Sequence, residues 1–183
     1  SPANTGEATN EADNCDTTIG EATFTDSVAD GSCANESVIT RTWSLTDACG
    51  NTATAVQTIT VQDTTNPTFT VPADVTIECD EDTSPANTGD VTDEDDNCST
   101  GLDATFSDSI ADGSCVNEYV ITRTWSLTDD CLNTATPLQP ITVQDTSSPA
   151  FTVPADITIE CDEDTSPANT GEATNEADNC DTT

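Results

Sequence analysis

The chain of 183 residues repeats itself, and this repetition limits the folds open to it more than any other feature. The segment Ser-Pro-Ala-Asn-Thr-Gly begins at residues 1, 84 and 166, so successive copies start 83 and 82 residues apart. Residues 1–18 and 166–183 are identical, whereas the middle copy differs from both, which indicates a longer period of two copies. Such self-similarity is typical of arrays of like domains. We expect the chain to be a window of a long array, unlike most enzymes, which need a single site.

The charge balance excludes several classes of function. Asp and Glu number 36 against 2 Arg, His is absent, and the formal net charge is −34. A chain of this charge cannot neutralise nucleic-acid phosphates, and an anionic membrane surface repels it. The usual general bases and phosphate clamps of enzymes are missing too, so we expect no catalysis. Glycoside hydrolysis by two carboxylates is the remaining enzymatic alternative. No apolar run is long enough to insert directly into a membrane.

The pattern of apolar residues predicts an all-β fold. High charge with low hydropathy is also typical of disorder, but nine Cys, two Trp and alternating Val, Ile and Thr argue against it. Pro140 stands in the last strand of its copy, which predicts an edge strand or an outward-facing N–H position. Short strands at this spacing favour an antiparallel β-sandwich. Alternation and turn residues place strands at roughly 68–71, 74–79, 88–94, 103–109, 118–127 and 138–144.

Short polar segments at 64–67 and 146–149 predict the domain boundaries. Residues 1–64 would then form the C-terminal part of one domain, residues 65–147 a complete domain, and residues 148–183 the N-terminal part of the next. The linkers are short, so neighbouring domains should touch. The first strand starts at one pole and the last ends at the other, which predicts tandem sandwiches arranged end to end.

Each complete copy contains four cysteines, and strand direction suggests how they pair. Cysteines at the same pole of the sandwich can come within the roughly 7 Å that a disulfide needs between its Cα atoms. Regular cysteine spacing indicates an oxidising, extracellular setting. Free thiols or a zinc site are the alternative, although the chain has no His and no closely spaced Cys pair. The predicted disulfides are Cys79–Cys115, Cys98–Cys131 and Cys15–Cys49, with Cys33, Cys161 and Cys180 left without partners.

Carboxylates gather at both poles of the predicted domain. Crowded carboxylates repel one another unless a cation lies between them, and hard oxygen ligands suit calcium. The alternative is a solvated acidic surface that keeps the array soluble. The candidate calcium ligands are Asp63, Asp96, Asp129 and Asn133 at the upper pole, and Asp80, Asp82, Asp112 and Asp145 at the lower pole.

Arg41 and Arg123 occupy matching positions in two copies of the same strand. An unpaired guanidinium on a partly apolar face is costly, so each arginine should form a salt bridge to an acid on a neighbouring strand. Anchoring a ligand is the alternative role for these arginines. Trp43 and Trp125 are expected in the core, whereas exposed Trp rings would favour sugar stacking.

Two sequence blocks carry a family resemblance. Residues 38–51 read VITRTWSLTDACGN and residues 72–79 read PADVTIEC. Together they resemble the hyalin-repeat-like (HYR-like) domain in its four-cysteine form, over essentially the whole chain. The resemblance implies immunoglobulin-like sandwiches in tandem within very large secreted or surface proteins of bacteroidete-type bacteria, often exported by the type IX route. Leu132 stands where the family pattern has the glycine kept at Gly50, which predicts a different turn in the second copy.

The same background implies a modification of the chain. The triplet of Asp, then Ser or Thr, then an aliphatic residue or Thr resembles the O-glycosylation signal of those bacteria. We therefore expect candidate glycosylation sites in this Thr-rich sequence. The matching residues are Thr17, Ser27, Thr64, Ser109 and Thr182.

Together these observations predict a structural repeat of a secreted rod, surface fibre or adhesin. Disulfides, and calcium at the domain junctions, would make it rigid for adhesion, spacing or filament formation. The expected partners are neighbouring copies of the repeat, other fibre chains or surface glycans, with calcium as the only cofactor. The alternative is a carbohydrate-binding module of a secreted multidomain protein, which burial or exposure of the Trp rings would distinguish.

Overall fold

The computed structural model describes residues 1–181, and most of its regular secondary structure is β-strand. The sheets have the strand orders β1-β2-β3, β5-β10-β8-β7, β4-β6 and β11-β12, with β9 beside β8. The predicted all-β, immunoglobulin-like class is therefore confirmed. The strands are β1 (Thr23–Asp30), β2 (Ser37–Thr46), β3 (Thr52–Val61), β4 (Thr68–Thr70), β5 (Val75–Glu78), β6 (Thr92–Asp95), β7 (Thr105–Asp112), β8 (Tyr119–Thr128), β9 (Thr134–Ala135), β10 (Leu138–Gln144), β11 (Ala150–Thr152) and β12 (Thr174–Ala177).

Three one-turn helices recur at the Pro-Ala-Asn-Thr segment, where the sequence predicted no helix. They are α1 (Pro2–Thr5), α2 (Pro85–Thr88) and α3 (Pro167–Thr170). Proline is favoured in the first turn of a helix, where its missing N–H removes no helical hydrogen bond. Each helix ends at a glycine with φ between 92° and 102°. Among residues 1–181, no helix has the length and apolar character needed to span a bilayer.

The chain folds into two compact units that do not coincide with the sequence copies. Unit 1 contains residues 1–68, 94–103 and 127–135, and unit 2 contains the rest of the described chain. Each unit therefore combines stretches from more than one copy of the repeat. The domain boundaries at 64/65 and 147/148 remain a prediction.

Unit 1 contains the three-stranded antiparallel sheet β1-β2-β3. In its register Asp26 lies opposite Arg41, and their side chains form a bidentate ion pair with both N–O distances 2.8 Å. Arg41 is 3% exposed, and its Nη1 also donates to Thr5 Oγ1. The predicted salt bridge to a cross-strand acid is confirmed.

Unit 2 contains most of the four-stranded path β5-β10-β8-β7, in which β5 and β10 run parallel and the other pairs run antiparallel. Alternate residues of β8 and β10 face inward, so Ile121, Ile141 and Val143 pack with Ile77 of β5 as a core. The edge position predicted from Pro140 is wrong, because β10 lies between two strands. Pairing with β5 begins only at Ile141, so it requires no ladder bond from the proline.

The second ion pair lies in unit 2, where Arg123 faces Asp108 across the β7–β8 pair. Both N–O distances are 2.9 Å, and Arg123 is 1% exposed. Its remaining donors bond Thr88 Oγ1 and the Thr83 carbonyl oxygen, each at 2.8 Å. Both arginines of the chain are therefore committed to structural ion pairs.

Trp125 is a core residue of unit 2, as predicted. Its ring is 1% exposed, and Nε1 donates to the side-chain oxygen of Gln139 at 3.2 Å. Gln139 is itself fully buried and donates to the carbonyl oxygens of Ala73 and Thr88. Trp43, the matching residue in unit 1, is half-buried and donates to Gln57.

Candidate metal centre

Three aspartates that each follow a strand come together in unit 1. Asp63 follows β3, Asp96 follows β6 and Asp129 follows β8. One oxygen of each carboxylate lies within 4.8 Å of the corresponding oxygens of the other two. Asp63 is 5% exposed and Asp129 is 4% exposed, while Asp96 is half-buried. We call these three residues the acidic triad. It brings together three of the four ligands predicted at the upper pole.

Each triad carboxylate is held by the backbone that follows it. Aspartate accepts hydrogen bonds from N–H groups two to four residues further on in such turns, which fixes the side chain without a partner from another strand. In Asp96 these N–H donors hold the pKa below its usual value, although burial acts in the opposite direction. The donors to the Oδ1 atoms are the N–H groups of Thr65, of Cys98 and Ser99, and of Cys131 and Asn133, at 2.8 to 3.1 Å.

Two oxygens of the triad have no hydrogen-bond partner in the described part of the chain. They are Asp63 Oδ2 and Asp96 Oδ2, and both are buried. Burying a carboxylate oxygen without a partner is costly unless a cation compensates it. Arg41 and Arg123 are the only side-chain cations in the sequence, and both pair with other aspartates. The triad therefore has the negative charge and the free hard oxygens of a cation site, with no protein cation to fill it.

The thiol of Cys98 reports the same electrostatic environment. Burial raises its pKa, and the carboxylates of Asp63, Asp96 and Asp129 raise it further because they disfavour a thiolate. Cys98 is half-buried, and its sulfur is not bonded to another cysteine of the described chain. The triad is thus a region of concentrated negative charge.

Asn133, the fourth predicted ligand at this pole, supports the triad through its amide nitrogen. Nδ2 donates to Asp129 Oδ2 at 2.7 Å and to the Asp63 carbonyl oxygen at 3.3 Å. It thereby connects the segment after β3 to the turn after β8. We infer a positioning role for Asn133 rather than direct ligation.

The turn that carries Asp129 corrects the prediction made from Leu132. Leu132 has a φ of 71°, close to the 89° of Gly50, and the N–H of each donates to the carbonyl oxygen of the aspartate three residues earlier. The two copies therefore share one turn despite the substitution. A leucine in this conformation is strained, because its Cβ crowds the backbone.

Replacing Leu132 by glycine is expected to stabilise the chain by about 1 kcal/mol, since the strain of the left-handed conformation is relieved. Leu132 is 82% exposed, so little buried apolar surface is lost. Urea unfolding followed by circular dichroism measures the change. The matched variant Gly50→Leu should destabilise the chain by a similar amount, and equal stability of all three proteins would contradict this explanation.

Only one of the four candidates at the lower pole joins a metal-like group. Asp145 lies with Asp178 and Cys180 in unit 2, 82 residues after Asp63 and Asp96 for the two aspartates. Sequence reasoning did not select Asp178, although its correspondence with Asp96 in the repeat is a usable signal. Cys180 is in a disulfide and offers no thiolate.

The other three lower-pole candidates are not brought together in this way. Asp80 accepts a hydrogen bond from Asn179 at 3.3 Å, and Asp82 accepts two from Ser84. Asp112 is exposed at the end of β7. None of them belongs to a group of possible metal ligands within residues 1–181.

The cysteines pair differently from the prediction. Cys33 bonds Cys131 and Cys79 bonds Cys180, and no other pair forms among the described residues. The predicted neighbourhood of Cys98 and Cys131 holds, because Asp130 N–H donates to Ser99 Oγ at 3.1 Å. A shared pole does not distinguish a partner in the same copy from one in the next copy. The pairings Cys79–Cys115, Cys98–Cys131 and Cys15–Cys49 are corrected accordingly.

The candidate glycosylation sites remain a prediction. Thr17, Ser27, Thr64 and Ser109 are all exposed, and the two serines lie in β1 and β7. Thr182 lies outside the described residues.

Comparison with known proteins identifies one similarity. Residues 3–61, about a third of the chain, match the family model described as HYR-like domain with 4 cysteines. This stretch is therefore similar to an extracellular repeat domain of a typically non-catalytic, all-β structural family. The disulfides of the chain fit such a secreted or surface setting. A search of curated proteins finds no match to the chain.

Proposed function

We propose that this chain is a structural segment of an extracellular rod, surface fibre or adhesin, in which calcium stiffens the junction between successive copies of the repeat. The acidic triad carries the proposal. Asp63 ends one sequence copy, while Asp96 and Asp129 belong to the following copy. An ion held by all three would fasten the linker after Asp63 to the next copy.

The chemistry of the triad favours calcium over softer metals. Its free ligands are carboxylate oxygens, the chain has no His, and calcium accepts six to eight oxygens, some of them from water. Asp63 Oδ2 and Asp96 Oδ2 are the buried oxygens available for the ion. Bound calcium would offset the mutual repulsion of three carboxylates in a poorly hydrated position.

A serial arrangement of copies explains why one small domain recurs. Length would increase with copy number, and identical surfaces would offer many weak contacts, which together give avidity in adhesion, spacing or filament formation. The proposed partners are neighbouring copies, other fibre chains or surface glycans. Burial of Trp125 supports this role over a carbohydrate-binding module, since a buried ring cannot stack on a sugar.

Calcium is expected to stabilise the chain. At a free calcium concentration about 100 times the dissociation constant, binding to the folded state contributes about 2.7 kcal/mol. For a protein of this size the melting temperature should rise by roughly 5 to 10 °C relative to chelator. Differential scanning calorimetry in calcium and in EGTA measures the shift.

A matched pair of variants assigns the shift to the triad. Asp63→Asn weakens an unpartnered ligand and should abolish most of the calcium response, whereas Asp103→Asn removes the same charge from an exposed position in the same unit and should preserve it. A melting temperature of the wild type that is identical in calcium and in EGTA would remove the metal from the proposal.

Small-angle X-ray scattering of the same samples tests the serial arrangement. Stiff junctions predict a rigid, elongated particle in calcium and a broader distribution of dimensions in EGTA. The Asp63→Asn variant should resemble the EGTA sample in both buffers. A compact particle in every condition would contradict the rod.

A further inference from the structure

Both disulfides connect one copy of the repeat to the copy that follows it. In unit 1, Cys33 bonds Cys131, with a Cα–Cα distance of 5.1 Å and 98 residues between them in sequence. In unit 2, Cys79 bonds Cys180, with a Cα–Cα distance of 5.7 Å and a separation of 101 residues. Each separation exceeds the copy length of 82 or 83 residues. Neither bond therefore closes within a copy.

The two bonds use different positions of the four-cysteine pattern. Numbered by order within a copy, Cys79 is a first cysteine and Cys180 is a second cysteine. Cys33 is a third cysteine and Cys131 is a fourth. The structure thus contains one bond from a first cysteine to the second cysteine of the next copy, and one bond from a third cysteine to the fourth cysteine of the next copy.

We propose that these two classes are the general rule of the repeat, so that every junction between successive copies carries two disulfides. The proposal deepens the serial arrangement under Proposed function and rests on it. The partner of each unpaired cysteine would be a cysteine of a neighbouring copy.

The rule accounts for all nine cysteines. Five are unpaired in the described chain, and for each of them the position of its class partner falls before residue 1 or after residue 183. A rule that closes disulfides within a copy fails here, since the complete copy contains all four cysteines and forms no bond among them. The unpaired cysteines are Cys15, Cys49, Cys98, Cys115 and Cys161.

Contacts around the cysteines support two adjacent bonds at each junction. In unit 1, Asn35 beside the third cysteine donates to the carbonyl oxygen of Cys98, a second cysteine, at 2.6 Å. In unit 2 the matching Asn117 donates to Asp181, the residue after Cys180, at 2.7 Å. In both units the loop with the third cysteine reaches the segment with the second cysteine. The first-to-second bond and the third-to-fourth bond would therefore lie close together.

Formation of each bond needs an external oxidant. Two thiols lose two protons and two electrons as the S–S bond forms, and a small-molecule disulfide such as oxidised glutathione is reduced to two thiols. Exchange proceeds by thiolate attack through a mixed disulfide. The oxidising extracellular setting supplies this class of reagent.

Counting free thiols in the full chain tests the rule. The chain is expressed with export to an oxidising compartment, unfolded without reductant, alkylated with iodoacetamide and weighed by mass spectrometry. The observed pairing predicts five alkylated cysteines, whereas pairing within copies predicts three. Cys33→Ser should release Cys131 and raise the count to six, and the control Cys98→Ser should lower it to four. A wild-type count of three, or a count that rises in Cys98→Ser, would overturn the proposal.

An extended chain tests the partner predicted for Cys115. Residues 166–183 repeat residues 1–18, so adding residues 19–64 after Thr183 completes the third copy. Peptide mapping under non-reducing conditions should then find Cys115 bonded to the added equivalent of Cys49. Mutating that added cysteine to serine should leave Cys115 free. A bond from Cys115 to Cys79 or Cys131 would refute the rule.

These outcomes are independent of the calcium experiment. Thiol counts are measured on unfolded protein, so they do not change if the triad binds no metal. A calcium response with three free thiols would support the metal junction and reject the cystine rule, and five free thiols without a calcium response would do the reverse.

Discussion

Replacing Trp125 by alanine is expected to lower the free energy of unfolding by about 3 to 5 kcal/mol. The ring is 1% exposed, so its removal leaves a cavity in unit 2. It also leaves the Oε1 atom of Gln139, a fully buried residue, without the Nε1 donor that it accepts from. Both losses act on the same side of the sheet β5-β10-β8-β7. Urea unfolding followed by far-ultraviolet circular dichroism measures the change.

Two further variants separate the contributions of volume and hydrogen bonding. Trp125→Phe keeps most of the apolar ring but removes the donor to Gln139, so we expect a smaller loss of about 1 to 3 kcal/mol. Trp43→Ala removes the matching ring in unit 1, which is only half-buried, and should cost less than Trp125→Ala. Equal losses for the two alanine variants would show that Trp125 is not the central core residue.

The second large effect is expected from Asp108→Asn, which should destabilise the chain by about 3 to 5 kcal/mol. Asp108 supplies two acceptor oxygens to Arg123, whose side chain is 1% exposed. Arginine cannot lose its proton in a protein, so the charge stays buried with only Thr88 Oγ1 and the Thr83 carbonyl oxygen as acceptors. Thermal unfolding of the variant and wild type provides the measurement.

A double variant tests whether the cost comes from the uncompensated charge. Arg123→Met combined with Asp108→Val removes both charges and keeps apolar volume, and it should recover most of the stability that Asp108→Asn loses. If the double variant is as unstable as the single one, packing rather than charge is responsible.

The corresponding pair in unit 1 gives this interaction a pH signature. The hydrogen bond from Arg41 lowers the pKa of Asp26 in the folded state. The stabilisation by this carboxylate is therefore fully present above the unfolded-state pKa, about 3.8, and is lost as the pH falls through the lower folded-state pKa. The difference in stability between wild type and Asp26→Asn should be constant near neutral pH and disappear in strong acid. A difference that grows in acid would contradict the assignment.

The parts of the fold that could be predicted are those set by local patterns. Alternation placed β7, β8 and β10 to within a few residues, since one buried face imposes a period of two. The arginine ion pairs were predictable because a buried guanidinium requires an acid, and the register supplies Asp26 and Asp108. The short helices were missed because a single Pro-Ala-Asn-Thr turn has no periodicity to detect. The central position of β10 was missed because β5 begins to pair with it only after Pro140.

The candidate metal centre shows the same division. Strand direction correctly brought Asp63, Asp96 and Asp129 to one end, since each directly follows a strand. It did not identify the disulfide partners, because cysteines of adjacent copies meet at the same end and strand direction treats them alike. The role of Asn133 also depends on which amide atom faces the carboxylates, and the sequence carries no signal for that orientation.

The overlap of the two disulfides along the chain has a consequence under tensile force. Cys33 and Cys180 are 147 residues apart, and that length of unfolded chain would stretch to roughly 500 Å. With both S–S bonds intact, tension follows two parallel routes, one through the 46 residues from Cys33 to Cys79 and one through the 49 residues from Cys131 to Cys180. The shorter route becomes taut at roughly 160 Å. Even a completely unfolded segment would therefore yield only about a third of its contour length, and two strands would share the pull.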